Sequence, residues 1–346
     1  MQHNLYIGTY TFKGGEGIYR FAVSEDGFAF QGGEMAQNPS YLCLSPNKKY
    51  LYAACEVSQL DGVQGGGVRA YEVQPDGSLR FINQQSTVGR GSCHVSVSPE
   101  GKWLFVANYG EGSASVLPLN EDGSIGTIAR HILHKGHGPN KKRQERPHVH
   151  FCKVTPDGKY LAICDLGLDG VFLYPFSEEE GVLDPCQKLS VPAGDGPRHL
   201  IFSKCGKYLY LLTEMGANVI VFERQEEGYA CVQIVPTLPA DYEGMKWGAA
   251  IRLSQDGRFL ITSNRAHDSL TVFAVEENGK LRQVQNIPSG GKTPRDFDFS
   301  PDGKLVVVAH QDGAGLRLFK FCQASGLLTD TGLTAEAAIP VGVCFG

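Results

Sequence analysis

One pattern occurs six times along this chain: an apolar run, a tight turn, then a second apolar run. It reads "LCLSPNKKYLYAACE" from Leu42, "VSVSPEGKWLFVANY" from Val95 and "CKVTPDGKYLAICDL" from Cys152. It returns as "LIFSKCGKYLYLLTE" from Leu200, "IRLSQDGRFLITSNR" from Ile251 and "FDFSPDGKLVVVAHQ" from Phe297. Proline, aspartate and glycine each suit a turn position between the two runs. The turns are anchored at Ser45, Ser98, Thr155, Ser203, Ser254 and Ser300, spaced 46 to 57 residues apart. That period fits one four-stranded propeller blade per repeat. Third strands such as "NVIVFE" and "SLTVFAV" follow, and turns such as "ENGK" lead to a fourth.

The ends complete the count. "LYIGTY…GIYRFAVSEDG" supplies a second strand, a third strand and a turn, but no first strand, whereas "IPVGVCFG" is a first strand with nothing after it. The expected fold is therefore all-β: a single seven-bladed β-propeller over residues 1–346, closed by pairing of the N- and C-terminal strands within one blade. A helical reading fails, because β-branched and aromatic runs dominate and no long 3.6-residue period is present.

Composition narrows the function. Charged residues make up 20% of the chain and the formal net charge is −5, which offers no electrostatic case for nucleic acid. The one basic run, Lys141–Arg143, reads as a solvated loop. No apolar run approaches a membrane span, and no export signal precedes Leu5. Ten cysteines occur without a CxxC pair, several inside strand-like runs, so reduced thiols and a cytoplasmic location are expected. No phosphate-cradling loop or hydrolase elbow is present, and no cofactor is expected. The oligomeric expectation is a monomer or weak homo-oligomer.

In a propeller the first strands line the central channel, so one mouth can be read by counting from each anchor. Five residues before it stand Ser40, Cys93, His150, Arg198, Ala249 and Arg295, with Val341 in the closing blade. Ten or eleven after it stand Glu56, Asn108, Asp165, Glu214, Asn264, Arg265, His310 and Gln311. Arginines bind carboxylate or phosphate with a planar donor fork and can steady an oxyanion. A neighbouring His or Glu could move a proton. The candidate catalytic residues are His150, Glu214, Arg198 and Arg265; the candidate substrate-binding residues are His148, Arg295, Asn108, Asp165 and His310. The bland alternative is a set of channel ion pairs, such as Arg198 with Glu214. The HxH spacing of His148 and His150 raises a metal, but nearby arginines repel a divalent cation, and no metal is expected.

The segments "YIGTYT", "GPNKKRQERPHVHF", "DLGLDGVFLY", "GPRHLIFS", "TEMGANVIVF", "SNRAHDSLTVF" and "TPRDFDFSPDG" together resemble the lactonase family of seven-bladed propellers. This family includes propeller-type 6-phosphogluconolactonases and fungal carboxymuconate lactonizing enzymes. The resemblance runs from Leu5 to the C-terminus. It implies a metal-independent site built from His150, Glu214, Arg198, Arg265 and Arg295, with His148 as neighbour. The family's pattern before the histidines departs here to "QERP", where Arg146 adds a cation. The expected activity is hydrolysis of an anionic sugar lactone, 6-phosphogluconolactone foremost. Lactone formation or opening on a carboxylated muconate, and a non-catalytic propeller binding a ligand or protein at its mouth, are the alternatives.

Overall fold

The repeated turn is held by the same hydrogen bond in every full blade. In the computed structural model, which describes residues 1–184, 186–226, 228–313 and 315–346, each anchor hydroxyl accepts the backbone N–H five residues on. These bonds span 2.9–3.1 Å, from Tyr50 on Ser45 to Leu305 on Ser300. Thr155, Ser254 and Ser300 also donate to the aspartate two residues later at 2.6 Å. The turn glycine takes a left-handed backbone, with φ +76° at Gly257 and +69° at Gly303. Thus the Ser or Thr anchor closes each of the six hairpins with its own side chain.

The seven sheets so formed follow one another around a ring. Blades 1 to 7 have the inner strands Pro39–Leu44, Ser92–Val97, Val149–Val154, Pro197–Phe202, Gly248–Leu253, Pro294–Phe299 and Pro340–Phe345. Pro340–Phe345 pairs antiparallel with His3–Thr9, which pairs in turn with Gly17–Ser24. The ring therefore closes as the terminal segments anticipate. Seven apolar clusters fill the seven spaces between neighbouring blades. Second-strand tyrosines add polar ties across them: Tyr6, Tyr52 and Tyr210 each donate to a turn carbonyl of the next blade at 2.8–3.1 Å. Among the described residues no helix is long and apolar enough to cross a membrane, and no cysteine forms a disulfide.

One irregularity recurs in all seven inner strands. In blade 3, Val149 pairs with Asp165 and Phe151 pairs with Cys164, which leaves His150 as an extra residue. The same register shift isolates Ser40, Cys93, Arg198, Arg295 and Val341, and falls at Ala249–Ala250 in blade 5. Each is a β-bulge at the same end of the channel. A bulge re-aims a side chain that regular alternation would place elsewhere. The residues five before the anchors are thus not opposite a cross-strand partner, as simple pairing predicts, but are displaced out of the ladder. Farther along the channel, Tyr41, His94, Phe151 and His199 from four blades pack together with ring centroids 4.1–5.8 Å apart.

Candidate active site

The bulges and the strand ends meet at one mouth. The backbone N–H eleven residues after each anchor bonds to the carbonyl of the residue entering the inner strand, as in Glu214 to Gly196 at 2.7 Å and Arg265 to Trp247 at 2.8 Å. This bond lies just outside the bulge and sets the strand-end residue beside the bulged one. The result is a pocket of about 230 Å³, lined by Cys93, His150 and Arg295 from bulges and by Glu56, Tyr109, Glu214 and Arg265 from strand ends. Tyr10, Trp247 and Arg143 complete its wall. The volume is below the ~300–1,000 Å³ of pockets for drug-sized ligands, so it suits a small metabolite.

Glu214 is the hub, with its side chain only 3% exposed. Its Oε2 meets Arg265 Nη2 at 2.8 Å and Arg198 Nε at 3.1 Å, while His150 Nε2 lies 3.9 Å away. Its Oε1 accepts from Trp247 Nε1 at 3.3 Å and from the Arg143 guanidinium. Each buried arginine is also tied to backbone: Arg198 donates to the Ala249 carbonyl and Arg265 to the Gly248 carbonyl. Arg265 lies over the Trp247 ring, 4.1 Å from its centroid. On the far wall, Arg295 sits over Tyr10 and donates to Gln311 Oε1 at 3.0 Å. Glu56, held by the Tyr10 hydroxyl at 2.7 Å, is 3.8 Å from Arg295.

These contacts set the charge states. Burial alone raises the Glu214 carboxyl, but Arg265 and Arg198, then His150 and Arg143, outweigh it and hold it well below the usual carboxylate range. Burial, reinforced by Arg198, pushes the His150 imidazole well below its ordinary value against the opposing pull of Glu214. Neutral pH therefore finds an ionised Glu214 beside a neutral His150. Burial also lowers Arg198 and Arg265, yet a guanidinium with an intrinsic pKa above about 12 stays charged. Three arginines of the wall, Arg143, Arg265 and Arg295, face two carboxylates, Glu56 and Glu214, and Arg198 backs Glu214 from behind the wall. The pocket thus has an excess of positive charge ready for an anion.

The structure gathers His150, Glu214, Arg198, Arg265 and Arg295 of the sequence candidates. It does not bring Asn108, Asp165, His310 or His148 into the pocket. The first three stand ten residues after their anchors, not eleven, and turn into their own blades. Asn108 accepts from Ser92 at 2.9 Å and donates to Ser113 and Ser115. Asp165 accepts from the His148 backbone at 2.9 Å and lies 2.7 Å from His134 Nδ1, and His310 meets Ser289 Oγ at 3.1 Å. His148 stacks on Tyr109 at 4.4 Å and faces Glu145, 3.2 Å from Nε2. It supports a wall of the pocket from behind. Arg146, at 3.4 Å from Glu145, belongs to a surface pair. Among the described residues no group of three or more His, Cys, Asp or Glu is arranged to hold a metal ion.

Sequence reasoning missed Arg143, which the solvated-loop reading of Lys141–Arg143 leaves outside any site. It also missed Tyr10, Tyr109 and Trp247. Tyr109 and Tyr10 occupy the strand-end position, so the eleven-residue offset used alone points to Tyr109. Trp247 and Arg143 lie in irregular connections where no count applies.

A seven-bladed propeller whose channel mouth holds a buried acid–imidazole pair inside an arginine cluster is a scaffold for acid–base chemistry on a small anion. Residues 4–345 match the family described as "Lactonase, 7-bladed beta-propeller". The chain is 36% identical over 347 residues to the 6-phosphogluconolactonase of Bacillus subtilis strain 168, covering 98% of this chain and 97% of that protein. Its fold is similar to a crystal structure described as a putative 6-phosphogluconolactonase from Bacteroides fragilis, with TM-score 0.91 and 33% identity over 100% of this chain and 98% of that one. It is equally similar to a Pseudomonas aeruginosa structure described as a periplasmic gluconolactonase, with TM-score 0.91 and 35% identity, covering 100% of this chain and 99% of that one. The chain belongs to the lactonase family of seven-bladed β-propellers.

Proposed function

We propose that this protein hydrolyses a phosphorylated sugar lactone, 6-phosphogluconolactone to 6-phosphogluconate. The observation that carries the reading is Glu214, buried among Arg198 and Arg265 with neutral His150 at 3.9 Å, in a pocket with excess positive charge. The description of the Bacillus subtilis relative supports the same substrate.

In this reading the ester carbonyl lies against Arg265, with Arg198 holding Glu214 in place behind the wall. The fixed Arg265 donors meet the charge that develops on the carbonyl oxygen as water attacks, at no cost of reorganisation. The proton of the attacking water passes to the His150–Glu214 pair. Glu214 steadies an imidazolium that burial otherwise disfavours. When the ring C–O bond breaks, the same proton returns to the departing ring oxygen, giving the hydroxy acid. Arg295, on the more open wall, receives the phosphate. The catalytic demand is modest, since a positioned base worth about 10² to 10⁴ in rate suffices for an ester that already hydrolyses in water.

The test is lactone hydrolysis by the wild type beside Glu214→Gln and His150→Ala, measured above the spontaneous rate. Both variants should fall by about 10² or more. Equal rates for all three proteins would remove the mechanism. A wild type indistinguishable from buffer, with the same ligand still bound, would favour a non-catalytic binding propeller instead.

A further inference from the structure

Three guanidinium groups contact Glu214, and one of them is unlike the others. Arg198 and Arg265 project from blade strands, are 3% and 4% exposed, and each also binds a backbone carbonyl. Arg143 comes from the insert that precedes blade 3 and is 39% exposed. Its other polar partner is the Tyr109 hydroxyl at 3.3 Å. The insert around it is firmly held. Gln144, the next residue, is fully buried and donates to Asp169 at 2.7 Å and to the Leu166 carbonyl at 2.8 Å. Asn140 Oδ1 accepts the Lys142 and Arg143 backbone N–H groups at 3.1 and 3.2 Å. Gly167 lets the insert approach, since a Cβ there would meet the Arg146 carbonyl at 1.9 Å. A fixed backbone therefore carries a long cationic side chain whose two partners, Glu214 and Tyr109, both lie in the pocket wall, while the side chain itself reaches the pocket's open edge.

Resting on the lactonase reading, we infer that Arg143 is a specificity residue that changes partners: it masks Glu214 in the empty pocket and moves onto the anionic group of the bound substrate. An incoming phosphate offers Arg143 a stronger, bidentate-capable acceptor than a carboxylate already shared with Trp247, Arg198 and Arg265. Its departure frees Glu214 Oε1 and removes one cation from the acid–base pair. The remaining groups facing Glu214 are then Arg198 from its own blade, Arg265 and the Trp247 N–H from blade 5 and its lead-in, His150 from blade 3, and Arg295 and Tyr109 across the pocket. Arg143 depresses the Glu214 carboxyl, so its removal moves the pair toward greater basicity. A neutral lactone lacks the group that draws Arg143 off and meets a masked base. Discrimination in favour of a charged substrate then shows in kcat as well as in KM.

The experiment compares 6-phosphogluconolactone with unphosphorylated gluconolactone on wild type, Arg143→Gln and Arg143→Lys. The ratio of kcat/KM for the two lactones should fall about ten- to a hundredfold in Arg143→Gln, with Arg143→Lys restoring part of it. The acid limb of kcat/KM for the neutral lactone should move to higher pH in Arg143→Gln, which a purely structural role does not produce. Equal losses on both lactones with an unmoved acid limb would overturn the exchange while leaving the lactonase reading intact. A wild type that accelerates neither lactone would overturn both together.

Discussion

At the scale of single residues, the pocket works by denying its members their ordinary chemistry. Glu214 stays ionised and His150 stays neutral because each is buried among guanidinium groups. Both groups are held below their ordinary values, so kcat/KM should show no limb at the ordinary histidine value once spontaneous hydrolysis is subtracted. A limb near 6.5 would mean that His150 is not held neutral. Arg198 uses Nε toward Glu214 and Nη1 toward the Ala249 carbonyl. A lysine can reach one of these but not both. Arg198→Lys should therefore lose at least about tenfold in kcat, because the lost charge-assisted bond is worth about 1.5–3 kcal/mol. Retention of full kcat would show that the guanidinium plane is not used.

At the scale of elements, the anchor turn and the channel strands make separate demands. Ser254 accepts the Phe259 N–H and donates to Asp256, and it is buried. Ser203 accepts the equivalent N–H, but its hydroxyl faces only Cys205. Ser254→Ala should cost about 1–2 kcal/mol and Ser203→Ala less, as read from denaturant midpoints. Along the channel, burial lowers His94, His150 and His199 well below their ordinary value, with Arg198 adding to it in each case and with Lys153 and Arg252 near His94. The sign follows from proton counting. Below about pH 6.5 the unfolded chain binds protons that the folded channel refuses, so stability falls as the pH drops, by about 1.4 kcal/mol per unit for each such histidine. Asp298 opposes this, because burial pushes its carboxyl up to about 6 and the folded state keeps that proton longer. Asp296, whose carboxyl burial also raises, acts in the same sense as Asp298; three histidines against two such aspartates leave a net loss on acidification. His199→Gln should make the fall between pH 6.5 and 5 shallower; an unchanged slope would place the sensitive groups elsewhere.

At the scale of the whole molecule, the repeat made the ring, its closure and its blade order legible, because "SPDG" hairpins are local and recur with a period. Counting from the anchors also reached His150, Arg198, Glu214, Arg265 and Arg295. The bulge was not legible. It is a shift of register, and residues ten and eleven past an anchor look alike until that shift is known, so Asn108, Asp165 and His310 were grouped with Glu214 and Arg265. Arg143 was hidden for another reason. It reaches Glu214 across 71 residues from an aperiodic insert, and such a contact leaves no trace in spacing. The ring itself makes a prediction. Deleting residues 340–346 removes the partner of His3–Thr9 and exposes an unpaired inner edge, so the shortened chain should self-associate and lose cooperative melting, as judged by sizing and calorimetry. A monomeric, cooperatively folding truncation would show that the other blades stand without closure.

Tyr10 follows directly on the strand that closes the ring, and its hydroxyl holds Glu56, beside Arg295. One wall of the pocket is thus shared by segments far apart along the chain, Tyr10 and Glu56 beside Arg295, and the closing pair of strands brings them together. A growing chain has every blade hairpin it needs long before it has a pocket. Turnover would therefore begin only when the final strand is stitched to the first, which makes activity a timer for the completion of folding.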